Sequence, residues 1–366
     1  MAEHRFLASK YDHNLTSGTI TWQSPSNIAL VKYWGKYGAQ LPMNSSVSFT
    51  LKNCNTRTTL SFEKLLLAKT SSHEKFDFEV YLDGKSEESF KPKISTFFER
   101  IESYLPFLKM YRFKIETSNS FPHSSGIASS ASGMSALALC LMDLERQMKP
   151  EITDDYFIEK ASFLARLGSG SACRSIEGPL IVWGEHPKIE GSTNLFGTPY
   201  PFELHDNFKK YQDTILLVDK GEKQVSSTVG HDLMHNHVFA KQRFQQAKDN
   251  LSKLIPVFKN GTLSEFIKIV ESEALALHAM MMTSIPYFIL MKPNTLEILN
   301  RIWKFRKETG SAICFTLDAG ANVHVLYPEV EKEIILEFID RELSGFCKNK
   351  EFITDEVGLG AHKISN

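Results

Sequence analysis

The sequence predicts an α+β protein with two domains. Strand-like and helix-like patterns are mixed in both halves of the 366 residues, without the regular alternation of strand and helix that builds a parallel sheet. The stretch 191–207 is rich in Gly, Pro, Thr and Asn, which is typical of a linker, and the chain is long enough for about two domains. We therefore expect an N-terminal domain over residues 1–200 and a C-terminal domain over residues 201–366.

In the first half, period-two alternation of apolar and polar residues predicts strands. The segments TTLSF, at 58–62, and FDFEVYLDG, at 76–84, alternate in this way on either side of a polar loop, so we expect them to pair. The apolar spacing over 92–105 changes to that of a helix. Alternation returns at 111–115, and a second helical stripe follows at 134–142.

The second half begins with one predicted strand, ILLV at 215–218, and continues with long helical patterns up to about residue 305. Two apolar segments, AICFTLD and NVHVLYP, then predict two strands that are joined around Gly320. A last amphipathic segment covers 328–346. This order of elements is why we expect α+β rather than α/β organisation.

Composition and charge exclude several classes of protein. The 42 Lys and Arg against 43 Asp and Glu leave a formal charge of −1, too small to collect nucleic acid or an anionic membrane by a long-range field. A hydrophobic fraction of 42% excludes intrinsic disorder. The five cysteines are widely spaced without a CxxC pair, which indicates reduced thiols. The charged N-terminus lacks the apolar run of a signal peptide, so we expect a soluble, cytoplasmic protein.

A loop of small residues, PHSSGIASSA at 122–131, precedes the helix predicted at 134–142. Small side chains such as Gly126 let backbone N–H groups approach an anion, and a helix N-terminus adds partial positive charge. The loop therefore predicts a phosphate cradle, although Ser129 or Ser130 acting as a helix cap explains the same residues equally well. The patterns GxxxxGK[ST] and GxGxxG do not occur, which excludes the P-loop and Rossmann interpretations.

Three further segments carry candidate polar groups. Arg174 follows the small residues of GSGSACRS, at 168–175, and is suited to a carboxylate or phosphate unless it is a surface cation. Lys32 lies in the apolar run LVKYW, where an ammonium group requires either an anion or a path to solvent. Asp318 ends a predicted strand before Ala-Gly, a position suited to a proton acceptor or to a turn.

Histidines at 231, 235 and 237 raise an alternative from a different class, a zinc hydrolase. His231 and His235 would share one face of a helix at the spacing of zinc ligands. A zinc protease would carry Glu in place of Asp232, and His237 would lie on another side of the helix. We therefore expect solvated histidines on a helix surface and keep the zinc hydrolase as the alternative.

Together the segments resemble the diphosphomevalonate decarboxylase family of the GHMP small-molecule kinase superfamily. The superfamily pattern PxxxGxxSSA matches at 122–131. The motifs more specific to the family are NIALVKYWGK at 27–36, NSS at 44–46, GSGSACRS at 168–175, VSST at 225–228 and LDAG at 317–320. They occur in the family's order and cover most of the chain. The resemblance implies a two-domain GHMP kinase-like fold with an active-site cleft between the domains.

The resemblance also implies a reaction: ATP-dependent decarboxylation of (R)-5-diphosphomevalonate to isopentenyl diphosphate, with release of ADP, phosphate and CO₂. This reaction belongs to the mevalonate pathway of isoprenoid and sterol biosynthesis. ATP and Mg²⁺ are the implied cofactors, with the Mg²⁺ ligands unassigned. We expect no nucleic-acid or membrane partner, and a homodimer is compatible with the family. A 5-phosphomevalonate decarboxylase and a mevalonate-type kinase stay open as alternatives on the same scaffold.

Roles for individual residues follow from the same resemblance. Asp318 would accept the proton of the 3-hydroxyl, Lys32 would offset negative charge, and Arg174 would hold the substrate carboxylate. The residues implied to bind the ATP phosphates are Gly126, Ser129 and Ser130. The residues implied to contact the substrate diphosphate are Tyr33, Lys36, Ser169 and Lys93, the last in place of a family arginine.

Overall fold

A computed structural model describes residues 2–8, 10–66, 75–122, 127–219 and 227–365. Its strands, in chain order, are β1 (Ser17–Val31), β2 (Lys36–Tyr37), β3 (Leu41–Pro42), β4 (Ser46–Lys64), β5 (Asp77–Leu82), β6 (Lys85–Ser86), β7 (Tyr111–Asn119), β8 (Leu180–Trp183), β9 (Thr198–Pro199), β10 (Gln212–Leu216), β11 (Cys314–Thr316), β12 (Val323–Tyr327), β13 (Phe352–Glu356) and β14 (His362–Lys363). Its helices are α1 (Lys91–Ile101), α2 (Ser129–Met148), α3 (Asp154–Gly168), α4 (Asp206–Lys209), α5 (Ser227–Asp232), α6 (Ala240–Asn260), α7 (Leu263–Met282), α8 (Pro293–Thr309) and α9 (Lys332–Phe338).

The larger sheet has the strand order β14-β1-β4-β7-β5-β6, with β8 and β9 continuing beside β4. Its pairs are antiparallel except for β5 with β7, which run parallel. Helix α2 packs on β1 and β4 and also against α3, so it is buried around most of its circumference. This placement fixes the N-terminus of α2 beside the sheet.

The long strands β1 and β4 contribute to two hydrophobic cores. Ile20 and Trp22 of β1 pack in the core that contains α1, α2 and α3, whereas Ile28 and Leu30 pack in a second core with α6 and α7. Between these two stretches the pairing shifts, and residues 51–54 of β4 lie opposite Ser26 of β1. A bulge of this kind changes which side chains face each side of the strand, so both ends of β4 bury apolar residues.

The second half folds around a smaller antiparallel sheet of order β11-β12-β10-β13. Helices α7 and α8 pack against β11, and α6 packs against α7. In the described ranges, we find no helix with the combination of length and apolar composition that a bilayer crossing requires. Helix α7 also packs against β1, so it lies where the second half meets the first.

The C-terminal segment returns to the N-terminal half. Strand β14 pairs with β1 and forms one edge of the larger sheet. In β13 the buried Asp355 carboxylate accepts the backbone N–H groups of Lys52, Asn53 and Cys54, at 2.9, 2.8 and 2.7 Å, in the bulge of β4. One carboxylate thus satisfies three consecutive N–H groups that the bulge leaves without strand partners.

Most predicted elements are present, but one predicted pairing is wrong. Both TTLSF and FDFEVYL lie in strands, β4 and β5, yet β7 lies between them. Alternation identifies a strand and not its partner, and only a short turn between two strands fixes a hairpin. The amphipathic segment 328–346 forms a series of short helical elements: α9 covers its middle, and tighter or wider turns flank it. The sequence patterns did not reveal the long strand β1, nor β8, β13 and β14.

Candidate active site

A cavity of about 170 Å³ lies between the two halves of the chain. The first half contributes the segment after β1, the N-terminus of α2 and the 3₁₀ turn Gly170–Ser175 after α3. Of the described residues in the second half, four contribute to its wall: His231, Leu277, Asp318 and Ala319. A cleft built from both halves can enclose two reactants and exclude water from them.

Lys32 and Asp318 meet in this cavity. Lys32 follows β1 with only 2% of its side chain exposed, and its Nζ donates to Asp318 Oδ1 at 2.9 Å. Burial lowers the pKa of Lys32, and the Asp318 carboxylate opposes that shift. Asp318 keeps 29% of its side chain exposed, and its carbonyl accepts a hydrogen bond from His278 Nε2 at 3.1 Å. The lysine head therefore does not reach solvent but fixes a carboxylate that remains accessible from the cavity.

A buried carboxylate in α7, Glu273, holds the backbone at Lys32. Glu273 Oε2 accepts the Lys32 N–H at 2.9 Å, and Oε1 accepts Arg243 Nη1 at 3.0 Å and Asn250 Nδ2 at 2.7 Å. Arg243 Nη2 also donates to Oε2. The Lys32 carbonyl in turn accepts Asn44 Nδ2 at 2.9 Å. Sequence reasoning missed this set, apart from the NSS motif that contains Asn44.

Arg174 is buried rather than a surface cation, with 3% exposed. Its Nη1 donates to Ser46 Oγ at 2.7 Å, its Nε donates to Asn27 Oδ1 at 3.4 Å, and its guanidinium lies 5.6 Å from the ring centroid of Trp183. Burial lowers the pKa of Arg174, but an arginine remains protonated at neutral pH. The cavity wall therefore carries a fixed cation that neutral hydrogen-bond acceptors orient.

The structure brings Tyr33, Lys36 and Ser169 to the same cavity. The Tyr33 ring packs against Trp183 at 4.6 Å, and burial raises the pKa of its hydroxyl, which stays protonated. Lys36 is half-buried, and burial lowers its pKa. These side chains supply hydroxyl donors and a cation for an anion with several oxygens.

Ser129 and Ser130 are the first residues of α2 and line the cavity. The helix has no side-chain N-cap: Ala128 holds that position in the left-handed region at φ 47°. The capping interpretation of these serines is therefore wrong, and no acceptor among the described residues takes the N–H groups of Ser129 and Ser130, which suit an anion. Lys93, in α1, donates to Ser130 Oγ at 2.8 Å. Gly126 lies outside the described residues.

A second cavity, of about 190 Å³, adjoins the N-terminus of α2. It shares Lys93, Ser129 and Ser130 with the first cavity. The rest of its wall is mostly aliphatic side chains and threonines from β4, β5, β7, α1 and α2. The arrangement places an apolar pocket beside a candidate phosphate site.

The three histidines do not form a metal site. Helix α5 ends at Asp232, so His231 and His235 do not share a helix face. His235 is exposed, whereas His231 and His237 are buried. Among the described residues, no group of three or more His, Cys, Asp or Glu could hold a metal ion. The zinc hydrolase alternative is therefore wrong, and so is the expectation that all three histidines are solvated.

Comparison with known protein families accounts for this architecture. A model of the diphosphomevalonate decarboxylase-like N-terminal domain matches residues 24–194, and one of the mevalonate 5-diphosphate decarboxylase C-terminal domain matches residues 214–363. The chain belongs to the diphosphomevalonate decarboxylase family. The family predicted from short motifs is thus confirmed over nearly the whole chain.

Individual proteins of this family are similar to the chain in sequence and in structure over most of its length. The diphosphomevalonate decarboxylase of Aspergillus fumigatus is 28% identical over 345 residues, covering 90% of this chain and 81% of that protein. A structure described as MDDEF in complex with MVAPP, AMPPCP and magnesium superposes with a TM-score of 0.80 at 26% identity, covering 96% of this chain and 100% of the other. The mevalonate diphosphate decarboxylase of Legionella pneumophila gives a TM-score of 0.76 at 29% identity, covering 92% and 100%. These matches confirm the two-domain GHMP kinase-like fold.

Proposed function

We propose that the protein catalyses the ATP-dependent decarboxylation of (R)-5-diphosphomevalonate to isopentenyl diphosphate, with release of ADP, phosphate and CO₂, in the mevalonate pathway. The observation that carries this proposal is the contact between Lys32 and Asp318 in a cavity that also contains the N-terminus of α2. A carboxylate, a buried cation and a candidate phosphate site thus line the same cavity, which supports a reaction on one small molecule. Membership of the decarboxylase family supports the same reaction.

In the first step, we assign Asp318 as the proton acceptor. Its carboxylate takes the proton of the substrate 3-hydroxyl as that oxygen attacks the γ-phosphorus of ATP, and ADP leaves. The hydrogen bond from Lys32 holds the carboxylate at the cavity wall, and 29% of the Asp318 side chain stays accessible to the hydroxyl. Positioning of this kind accounts for most of the catalysis expected in phosphoryl transfer.

In the second step, the 3-phosphate is the leaving group. The bond between the carboxylate carbon and C2 breaks, its electron pair forms the C2–C3 double bond, and phosphate departs with the electrons of the C3–O bond. CO₂ and an alkene result, and no pyridoxal or thiamine electron sink is required. Arg174 orients the carboxylate until it is lost, and Lys32 offsets the charge that develops on the departing phosphate.

We assign the substrate diphosphate to the side of the cavity with Tyr33, Lys36 and Ser169. A hydroxyl donor and a half-buried ammonium suit an anion of several charges. Lys93, assigned to this end by resemblance, donates instead to Ser130, and this contact favours the ATP phosphates as its partner.

The ATP phosphates fit the uncapped N-terminus of α2, where backbone N–H groups and the Ser129 and Ser130 hydroxyls face the cavity. Mg²⁺ prefers oxygen ligands, keeps several waters and is commonly held through nucleotide phosphates, so these hydroxyls fit a MgATP complex. Bound there, Mg²⁺ would neutralise phosphate charge. The adjoining apolar cavity suits the adenine ring because its wall is mostly aliphatic.

The reaction is tested by measuring ADP and CO₂ together, with MgATP and either 5-diphosphomevalonate or 5-phosphomevalonate. We expect equal amounts of both products and a higher kcat/KM for the diphosphate. ADP without CO₂ would establish the kinase alternative, and preference for the monophosphate would establish the 5-phosphomevalonate decarboxylase.

The adenine assignment is tested by substituting Gly133 in α2. Gly133 lines the apolar cavity, and a Cβ built there meets nothing within 4 Å. We expect Gly133→Leu to fill the pocket and raise the KM for ATP at least tenfold, with the KM for diphosphomevalonate unchanged. Gly133→Ala is the matched control, because it changes the helix in the same way without filling the pocket. An unchanged ATP KM in Gly133→Leu would place adenine elsewhere.

We propose three further properties. A domain boundary near residue 200 is supported by the family models, which leave 195–213 between them. A cytoplasmic location is supported by five cysteines that are all free and buried. A homodimer is the proposed oligomeric state, and light scattering on the purified protein tests it.

A further inference from the structure

His231 lies in the wall of the active-site cavity, and the proposed reaction steps do not involve it. It is located in α5 with 8% of its surface exposed, and it lines the cavity. Its ring packs against Tyr33 at 4.3 Å and Trp34 at 4.6 Å between centroids. The backbone N–H of Gly35 donates to its Nδ1 at 2.9 Å. These contacts fix both the plane of the ring and the direction of its second nitrogen.

The Gly35 contact also fixes the tautomer of His231. Burial, with Lys36 and Arg174 nearby, lowers the pKa of His231 to about 3, so the ring is neutral at physiological pH. Because Nδ1 accepts a hydrogen bond, the single ring proton of the neutral form is on Nε2. Within the described part of the chain, Nε2 has no hydrogen-bond partner. The ring therefore offers a donor that none of the described acceptors uses.

We propose that His231 Nε2–H donates a hydrogen bond to an oxygen of the substrate diphosphate and thereby contributes to substrate specificity. This inference rests on the proposed function, which assigns the diphosphate to the side of the cavity with Tyr33 and Lys36. A neutral donor is suited to this place because Lys36 and Arg174 already supply positive charge. A donor without charge adds a directional contact and avoids repulsion between buried cations.

Two substitutions separate the two ring nitrogens. In His231→Asn the amide oxygen can replace Nδ1 as the acceptor for Gly35, but no donor reaches the position of Nε2. In His231→Gln the amide nitrogen can reach the position of Nε2. Since both variants lose the ring contacts with Tyr33 and Trp34, their comparison isolates the Nε2 donor. His231→Phe keeps an aromatic ring against both neighbours and also lacks the donor, which covers the case that His231→Asn does not fold.

The first readout is steady-state kinetics. We expect His231→Asn and His231→Phe to raise the KM for diphosphomevalonate about tenfold or more relative to His231→Gln, as for a lost hydrogen bond to a charged group. The KM for ATP should be the same in all three. Equal KM values for diphosphomevalonate across the variants, or a larger increase in His231→Gln, would overturn the inference.

The second readout is calorimetric binding of inorganic pyrophosphate, which requires no turnover. We expect the same order of affinities, with His231→Gln tighter than His231→Asn and His231→Phe. If the wild type releases no CO₂ but the variants show this order of pyrophosphate affinities, the decarboxylase proposal is refuted and the His231 contact with diphosphate is supported. An active wild type whose variants bind pyrophosphate equally would refute only the contact.

Discussion

The buried contacts of Glu273 give the sharpest test of what holds Lys32 in place. In Glu273→Gln the side chain keeps its shape and loses its charge. Arg243, which is 3% exposed, then lacks a counter-charge in the interior. The glutamine amide offers one acceptor oxygen instead of two, so the Lys32 N–H and Arg243 compete for it. Neutralising one partner of a buried ion pair costs about 3–5 kcal/mol. We expect a loss of that size in the free energy of unfolding, together with a lower kcat because Lys32 is displaced.

The same helix provides a matched control. Glu265, also in α7, pairs with Lys268 at 2.6 Å, but their side chains are 50% and 70% exposed. Exposed ion pairs of this kind contribute little to the free energy of unfolding. Glu265→Gln should therefore unfold at the same urea midpoint as wild type. Urea titration of the three proteins at pH 7, with kcat measured on the same samples, makes the comparison. If both variants unfold at the same midpoint as wild type, the hydrogen bonds of Glu273 do not stabilise the backbone at Lys32.

Three further predictions concern the site and its supports. Asp318→Asn should reduce kcat about 10²- to 10⁴-fold while calorimetry shows unchanged MgATP affinity; near-normal turnover would refute its role as base. Burial lowers the folded pKa of His278 to about 4, from 6.5. The unfolded state therefore binds this proton first as the pH falls through 6.5 towards 4, and His278 alone should lower the free energy of unfolding by up to about 3 kcal/mol over that window, measured by urea titration; His278→Gln should lose less stability than wild type over the same window, and equal pH slopes would refute this. Asp355→Asn should leave at least one N–H of β4 unsatisfied and lower the free energy of unfolding by about 1–3 kcal/mol in a urea titration. An unchanged unfolding midpoint would contradict this prediction.

Short motifs predicted the residues at the centre of the candidate site because each motif keeps its residues close in sequence. Lys32, Arg174 and Asp318 each belong to such a motif, and the structure brings all three to one cavity. Their surroundings could not be predicted in the same way. Lys32 and Glu273, for example, are separated by 241 positions in the chain.

Helical periodicity likewise shows which face of α6 or α7 is apolar. It does not show that Arg243 of α6 and Glu273 of α7 form an ion pair buried between these two helices. For the histidines, the spacing of four residues suggested one helix face, whereas α5 ends after Asp232. Nothing local in the sequence distinguishes a helix that continues through His235 from one that stops. Strand partners were uncertain for the same reason, since alternation carries no information about neighbours.

The return of β13 and β14 to the first half constrains how the enzyme can close on its substrates. The C-terminal half contacts the first half where the Asp355 carboxylate accepts N–H groups in the bulge of β4, and where β14 pairs with β1. A body attached at several separated points cannot swing about a single hinge. Access to the cavity must then come from local movement of the segments around it, and a C-terminal truncation before β13 would release a restraint rather than remove a dispensable tail.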